Sequence, residues 1–505
     1  MHPLARLDHE HVWHPFTQMR DWLRRQPIVI ERGRGAVLAD VHGREYLDAN
    51  ASIWTNLHGH NHPKINAAIR SQLGKIAHSS ALGFANAPAS VLAGKLVGLA
   101  NPRLPRAPFR QPGLNKVFFS DDGSTALEAA MKLSYEFARR TGRSERPRFL
   151  SLEGAYHGDT VGAVSAGHID LFHRAYSQLL FKTDKVMAPY CYRCPFNKAK
   201  PERLDARNCR RCNWECVDQV EKQFEKRAKT KRPITAMIVE PRVQGAAGVI
   251  PQPEGWLKRV VEIVRGQGAQ WIADEVMTGF GRTGGALSRR KDAAPALFAS
   301  HAEGVQPDYL CVAKGLTGGY TPMAATLTSR EVFDVFLGDY SEFKTFFHGH
   351  SFTGNQIGAA AANASLEILG SAASIDARRR LEARFAKELE SLWELECVGD
   401  VRRIGLIAGV ELVKDWRTKE PFALGEKAGI RVCEGMAKRG VLTRPIGNVV
   451  LLMPPYCMTA RQTVKMVSAL RESIEEIFGV ARQFCKLDWR QKGKMLIFGR
   501  VNEDN

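Results

Sequence analysis

Apolar and polar positions along the chain change period several times. Up to about residue 60, a short helical stretch gives way to extended runs. These are Pro27-Ile28-Val29-Ile30, Gly35-Ala36-Val37-Leu38-Ala39-Asp40 and, after Val41-His42-Gly43-Arg44, Glu45-Tyr46-Leu47-Asp48. Short apolar runs bounded by Gly and Asp predict strands joined as a hairpin. From about residue 64, helical spacing alternates with apolar runs at 116–119, 236–239, 270–273 and 309–312. Helices between successive strands imply βαβ units, hence an α/β fold with a mainly parallel sheet covered on both faces. A long helix near 355–369 ends at Gly370-Ser371-Ala372-Ala373-Ser374. Beyond it the pattern predicts a helix at 375–395, strands at 398–413, a helix near 424–439 and strands at 440–453. This second block reads as a smaller α+β domain, which the N-terminal hairpin joins. The expected organisation is therefore 1–63 with the small domain, 64–370 as the large domain, 371–479 as the C-terminal small domain, and a weakly periodic basic tail at 480–505.

With 505 residues the chain is about three times the length expected of one domain. Its 44% hydrophobic and 25% charged residues mark a folded globular protein and exclude a disordered or collagenous one. Lys, Arg, Gly or His interrupt every apolar stretch before it reaches the ~20 residues of a membrane span. Met1 to Asp8 lack a basic stretch leading into an apolar run, so a cytoplasmic protein without secretory signal or membrane association is expected. Lys and Arg number 72 against 53 Asp and Glu, a net charge of +19. Segment 191–232 carries 13 basic against 6 acidic residues, and the tail 6 against 3. The excess suits a solvated basic surface or an anionic partner. No interleaved aromatics or reader motif accompany it, so no nucleic-acid partner is expected.

Ten cysteines in a reducing compartment do not make a disulfide scaffold. Five of them, Cys191, Cys194, Cys209, Cys212 and Cys216, nevertheless fall within 26 residues. Two C-x2-C knuckles have the spacing that gathers four thiolates around a structural zinc ion. Cys191, Cys194, Cys209 and Cys212 are the candidate ligands, with Cys216 in reserve. The alternative is free thiols on an inserted loop, where Arg193, Arg210 and Arg211 favour the thiolate in either case.

Candidate chemistry lies at strand ends, where open α/β sheets place their ligands. The run Gln270-Trp271-Ile272-Ala273 ends in Asp274-Glu275, and a second apolar run ends in Ala313-Lys314-Gly315. A lysine just beyond a buried strand is desolvated, which lowers its pKa and leaves part of it neutral and nucleophilic. A carboxylate on a neighbouring strand can keep a heteroaromatic nitrogen protonated. Together they are parts of a pyridoxal phosphate site, a Schiff-base lysine and a pyridinium partner; separately they read as a surface Lys and a capping Asp. Phe119-Ser120-Asp121-Asp122-Gly123-Ser124 follows a strand and opens a helix, so its free N–H groups form an anion cradle or an ordinary N-cap. Tyr156-His157-Gly158-Asp159-Thr160 offers an aromatic face able to stack on a planar ring, or a capped turn. His58, His60 and His62 alternate, but Gly59 and Pro63 mark a loop without carboxylates, so a structural or substrate-side role is expected rather than a metal cluster.

In this order the segments resemble the class III pyridoxal phosphate-dependent aminotransferases of fold type I. The shared words are Gly123-Ser124, Tyr156-His157-Gly158-Asp159-Thr160, Asp274-Glu275-Val276 with Thr278-Gly279-Phe280-Gly281-Arg282-Thr283-Gly284, and Ala313-Lys314-Gly315-Leu316-Thr317-Gly318-Gly319. The likeness runs from about residue 10 to 479. More specific words are Trp13-His14-Pro15-Phe16-Thr17-Gln18-Met19, Trp54-Thr55-Asn56-Leu57-His58-Gly59-His60-Asn61-His62-Pro63, Phe346 to Asn355, and Leu442-Thr443-Arg444-Pro445. They are similar to the branch of the family that converts 8-amino-7-oxononanoate to 7,8-diaminononanoate in biotin biosynthesis.

The resemblance implies that Lys314 binds the cofactor covalently, Asp274 pairs with its ring nitrogen and Tyr156 stacks on the ring. Gly123, Ser124 and, from the other subunit of a homodimer, Ser351 would hold the phosphate. Arg444 would clamp the substrate carboxylate with its planar fork, and Phe16 and Trp54 would wall the cleft. Where adenosylmethionine-using members carry Tyr, this chain has Phe16, and their Trp-Trp pair is Ile53-Trp54. With His348-Gly349-His350-Ser351, these look more like the lysine-using members, and the donor stays open between the two. The Cys-rich segment also departs from the compact family core. Competing expectations are another class III enzyme, acting on 4-aminobutyrate, ornithine or a diamine, and a cofactor-free Cys-knuckle nucleic-acid binder.

Overall fold

The computed structural model describes residues 1–200, 202–287 and 294–479; the basic tail at 480–505 lies outside them. At the centre is a seven-stranded sheet of β1 (Leu114–Ser120), β2 (Arg148–Leu152), β3 (Asp184–Val186), β4 (Ile234–Val239), β5 (Gln270–Asp274), β6 (Tyr309–Val312) and β7 (Ala324–Ser329). The strands lie in the order β1-β7-β6-β5-β4-β2-β3. All neighbours from β6 through β5, β4 and β2 to β3 are parallel, while β7 runs antiparallel to both β6 and β1. The expected mainly parallel sheet is therefore present. β4, β5 and β6 are buried along their whole length, which is why they read as unbroken apolar runs rather than alternating ones.

β7 is harder to see in the sequence because Thr326 and Thr328 interrupt it. Folding satisfies both hydroxyls, which donate to the carbonyls of Ala126 and Asp308. Buried polar groups with partners carry little penalty.

The later part of the chain forms an antiparallel sheet of Val398–Ile404, Ile407–Asp415, Val449–Leu452 and Pro445–Ile446. Helices Ala372–Leu389, Ala428–Lys438 and Ala460–Phe478 pack with it. The extended run expected at 440–453 is cut into three short strands, since Pro445 removes a ladder donor and Gly447 sits at φ +55°. The N-terminal hairpin of Ile30–Arg34, Val37–Asp40 and Glu45–Asp48 pairs in parallel with Val441–Leu442, so one small sheet joins the two ends of the chain.

The basic, Cys-rich segment is bolted to this second part. Arg193 and Arg402 both pair with Glu411, Tyr190 donates to Glu411, and Arg402 also reaches Asp400. Arg203 donates to the carbonyls of Trp393, Leu395 and Val398, and Arg227 pairs with Asp184. Arg193, Arg207 and Arg227 are paired with acids, while Lys198, Lys200, Arg211 and the lysines from Lys222 to Lys231 are exposed, so the segment keeps a basic solvent face. The zinc site expected here does not form: among the described residues no three His, Cys, Asp or Glu side chains converge on a coordinating point. Cys209 Sγ lies by the carbonyls of Asp205 and Ala206, Cys212 Sγ accepts from Arg210 at 3.2 Å, and Cys191 Sγ faces the Pro189 carbonyl. The Arg210 guanidinium that contacts Cys212 also packs on Trp214, ring centroid 3.8 Å away. No helix of the described residues is long and apolar enough to cross a membrane.

Candidate active site

The ends of three adjacent parallel strands deliver the charged groups. β5 closes on Asp274, which lies opposite Cys311 of β6, so Ala313-Lys314 emerges beside it. Val239 of β4 lies opposite Ala273, and Glu240 follows on that side. These ends open into a cavity of about 600 Å3 lined by Lys314, Asp274, Glu240, Tyr156, Trp54, Gly123 and Ser124, among others.

Lys314 sits at φ +36°, a strained value for a residue with a Cβ. Its side chain is half-buried in the cavity wall. Burial lowers its pKa from the ordinary lysine value, and the carboxylates of Asp274 and Glu240 only partly restore it. An amine depressed in this way is a nucleophile and a proton carrier. Both oxygens of Asp274 are engaged: His157 Nδ1 lies 2.7 Å from one, and the Val276 N–H donates to the other at 3.1 Å. Burial works against the His157 cation, but the Asp274 contact overrides it and raises the pKa, so the ring donates to the carboxylate. Glu240 is pushed up to about 7 by its burial and by Asp274 beside it. Two carboxyl groups thus stand side by side at the cavity, and Glu240 is the one raised.

Where β1 ends, Asp122 caps the helix Gly123–Arg140 through the Thr125 N–H and its own reciprocal bond. The N–H groups of Gly123 and Ser124 then head a long helix whose dipole favours an anion. Close packing explains the small residues. A Cβ on Gly123 would come within 2.6 Å of Val276, and one on Gly158 within 2.2 Å of Ser124. The Tyr156 hydroxyl donates to Asp159 at 2.6 Å, which fixes its ring. A depressed amine, a carboxyl group held by His157, an anion cradle and a flat aromatic face fit the pyridoxal phosphate that the family resemblance implied.

Trp54 comes from Ala51–Trp54, in which four successive residues have φ between +45° and +70°. A left-handed turn of L-residues costs roughly 1–2 kcal/mol per residue. It brings the indole 4.9 Å from Lys314 Nζ. Phe16 lies outside the cavity lining, at its edge. Its ring is 5.1 Å from Phe172 and 6.4 Å from Tyr156, and Arg444 reaches its carbonyl at 3.4 Å. Arg444 is thus near Phe16 and outside the lining. Ser351 is not brought into this chain's cavity at all: it is exposed, and its carbonyl accepts from His78.

The alternating histidines have structural partners. His58 bonds Ser365, His60 bridges Asn56 and Asp48, and His62 caps the helix Pro63–Leu73. Burial drives the pKa of His58 down to about 3, so it stays neutral. Sequence reasoning missed Glu240, His157 as the orienter of Asp274, Phe172, and the Asp48–His60 pair. Glu240 was within reach, because it ends an apolar strand just as Asp274 does.

Residues 19–474 match the model of the class III aminotransferases. The chain is 45% identical to the adenosylmethionine-8-amino-7-oxononanoate aminotransferase of Geobacter sulfurreducens, across 94% of this chain and 97% of that one. It is 43% identical to the enzyme of the same description from Aquifex aeolicus, across 94% and 97%. The crystal structure of the enzyme so described from Methanocaldococcus jannaschii superposes with a TM-score of 0.82 at 40% identity, covering 94% of this chain and 98% of that one. An amine transaminase from an uncultivated Pseudomonas species, solved in its PLP-bound form, superposes with 0.80 at 32% identity, covering 92% and 98%.

Proposed function

Since this chain belongs to the class III aminotransferases, pyridoxal phosphate-dependent enzymes, we propose that it aminates 8-amino-7-oxononanoate to 7,8-diaminononanoate. The observation that carries the chemistry is Lys314, half-buried and depressed beside Asp274 under the indole of Trp54. The choice of acceptor rests on the relatives that share over 40% of their residues along nearly the whole chain.

In this reading Lys314 holds the cofactor, Asp274 faces its ring nitrogen, Tyr156 covers the ring, and Gly123 and Ser124 bind its phosphate. When bound, the cofactor supplies an electron sink for the carbanion that forms at the substrate carbon bearing nitrogen. The protein does the rest. His157 holds Asp274 in place, so the carboxylate stays where a ring cation needs it. Lys314, partly neutral through burial, takes the proton from the substrate's Cα and returns one during the same half-reaction. Arg444, next to Phe16, clamps the carboxylate at the far end of the substrate. Trp54 walls the cavity, and Phe16 with Phe172 adds apolar surface at its edge that suits the substrate's methylene chain.

We place the enzyme in the cytoplasm as a homodimer whose cradle is completed by Ser351 of the partner subunit. Ser351 lies on a surface where Phe347 and Phe352 are exposed, and the adjoining segment exposes Leu82 and Phe84. Asn86 ties that segment to the Gly354 carbonyl, so the four rings and chains share one region. A contiguous apolar surface of this kind marks an interface.

The test is product formation by cofactor-loaded protein given 8-amino-7-oxononanoate with adenosylmethionine and, separately, with lysine. Product is expected with one of the two, which also identifies the donor. Phe16, lacking a hydroxyl, favours lysine as the second reading. Absence of product with both, from protein that turns over 4-aminobutyrate, ornithine or a diamine, would reassign the substrate within the family.

A further inference from the structure

Four consecutive non-glycine residues in the left-handed region need an explanation, because nothing in the sequence Ala51-Ser52-Ile53-Trp54 favours it. The turn is a genuine left-handed one: Ser52 lies at φ +48°, ψ +57° and Ile53 at φ +59°, ψ +52°, and the Trp54 N–H donates to the Asn50 carbonyl at 2.9 Å. Such strain persists only where surrounding contacts over-determine it, and it clusters at functional sites.

The contacts are specific. Asp48 ends a strand whose position is set by pairing of Asp48 with Leu442. One of its carboxylate oxygens accepts the Ser52 N–H at 2.9 Å, and the other accepts the Ser52 hydroxyl at 2.8 Å. The second oxygen also meets His60 Nε2 at 3.0 Å. Asn56 fixes the tautomer. Its Oδ1 accepts the Gly59 N–H at 2.8 Å, so its amide N–H faces His60 Nδ1 at 3.0 Å, and a neutral His60 must carry its proton on Nε2 and donate to Asp48. Below the turn, Arg282 donates to the Asn56 carbonyl at 2.9 Å, and Gly319 packs so tightly that a Cβ there would fall 2.9 Å from the Asn56 backbone. Asp48 is buried, and although burial opposes its charge, His60 and Ser52 hold its carboxyl below the usual range. The result of this clamp is the indole of Trp54 over the amine of Lys314, with its own N–H lacking a partner among the described residues.

We propose that Asp48 and His60 are positioning residues, which hold residues 51–54 in a left-handed turn so that Trp54 sits over Lys314 and stabilises its protonated form. Neither lines the cavity, so their effect on it passes through the turn. The proposal rests on the reading of Lys314 as the reactive amine.

The test compares the cofactor-loaded enzyme with Asp48→Asn and with a triple variant that adds Ser52→Gly and Ile53→Gly. The readouts are kcat, KM and the pH midpoint of the bound cofactor's absorbance. Asp48→Asn is expected to lower kcat about tenfold with little change in KM, and to lower the midpoint by about half a pH unit as the indole leaves the cation. Glycine occupies positive φ without a Cβ penalty, so the triple variant should recover the midpoint and at least half of the lost kcat. An unchanged midpoint in Asp48→Asn, or a triple variant no better than the single one, overturns the proposal. If Asp48→Asn does not fold, His60→Gln replaces it: a fall in kcat and midpoint supports the clamp, and wild-type values for both overturn it. A wild-type protein that takes up no cofactor would instead remove the reading of Lys314.

Discussion

Lys314 shows most plainly how a side chain acquires its chemistry from its place. The residue is an ordinary lysine in sequence, recognisable only because an apolar run precedes it. Burial at the end of β6 lowers its proton affinity, and the neighbouring acids set how far. Lys314→Ala should therefore cut turnover by at least about 100-fold while leaving the cradle at Gly123 and Ser124 able to take up the cofactor non-covalently. Absorbance of the bound cofactor after gel filtration, measured beside steady-state rates, checks both halves. Residues such as Asp274, Tyr156 and Gly123 were legible because each belongs to a local word next to a strand or helix end. Phe16 and Arg444 were legible as words too, but their meeting at 3.4 Å joins residues from opposite ends of the chain, and no local pattern encodes it.

Among the elements, the strands Val398–Ile404 and Ile407–Asp415 carry a buried charge cluster that local patterning hides. Arg402 approaches Glu411 at 2.6 Å and Asp400 at 3.1 Å, which leaves Asp400 the less compensated of the two, with one oxygen lacking a partner among the described residues. Burial pushes the Asp400 carboxyl up to about 7, with Asp205 and Glu411 adding to the effect against Arg402. The folded protein thus binds this proton more tightly than the unfolded chain, where the value is 3.8. Its contribution to stability is complete below pH 3.8 and is lost as the pH rises towards about 7. Across that window Asp400→Asn should lose less stability than the wild type. Melting temperatures taken at intervals through it should diverge by a few degrees in favour of the variant at the alkaline end. Parallel slopes for the two proteins would show that Asp400 is ionised throughout. The Cys-rich segment teaches the converse lesson: its spacing was conspicuous, but among the described residues it forms no group able to hold a metal, and Arg193 and Arg203 dock it onto these strands.

At the scale of the whole molecule, the exposed rings around Ser351 bear on assembly. Sedimentation of the loaded enzyme should give twice the chain mass, and Phe84→Asp should shift it towards monomer with loss of activity, since an apolar patch of this kind tolerates no buried unpaired charge. A fully active monomer would contradict the shared cradle. By itself the sequence determined the α/β class, the parallel strands buried on both faces and the words that carry Lys314, Asp274, Tyr156 and the helix-heading glycine and serine. Each of these depends on periodicity or on neighbours within a few residues, which a linear pattern records. Only the tertiary structure decided that Glu240 titrates beside Asp274, that His157 orients that carboxylate, that the cysteines do not converge, and that residues 51–54 turn left-handed. These depend on what burial brings together from distant segments. Dielectric, backbone strain and side-chain direction are properties of that packing, and they do not exist until the chain has folded.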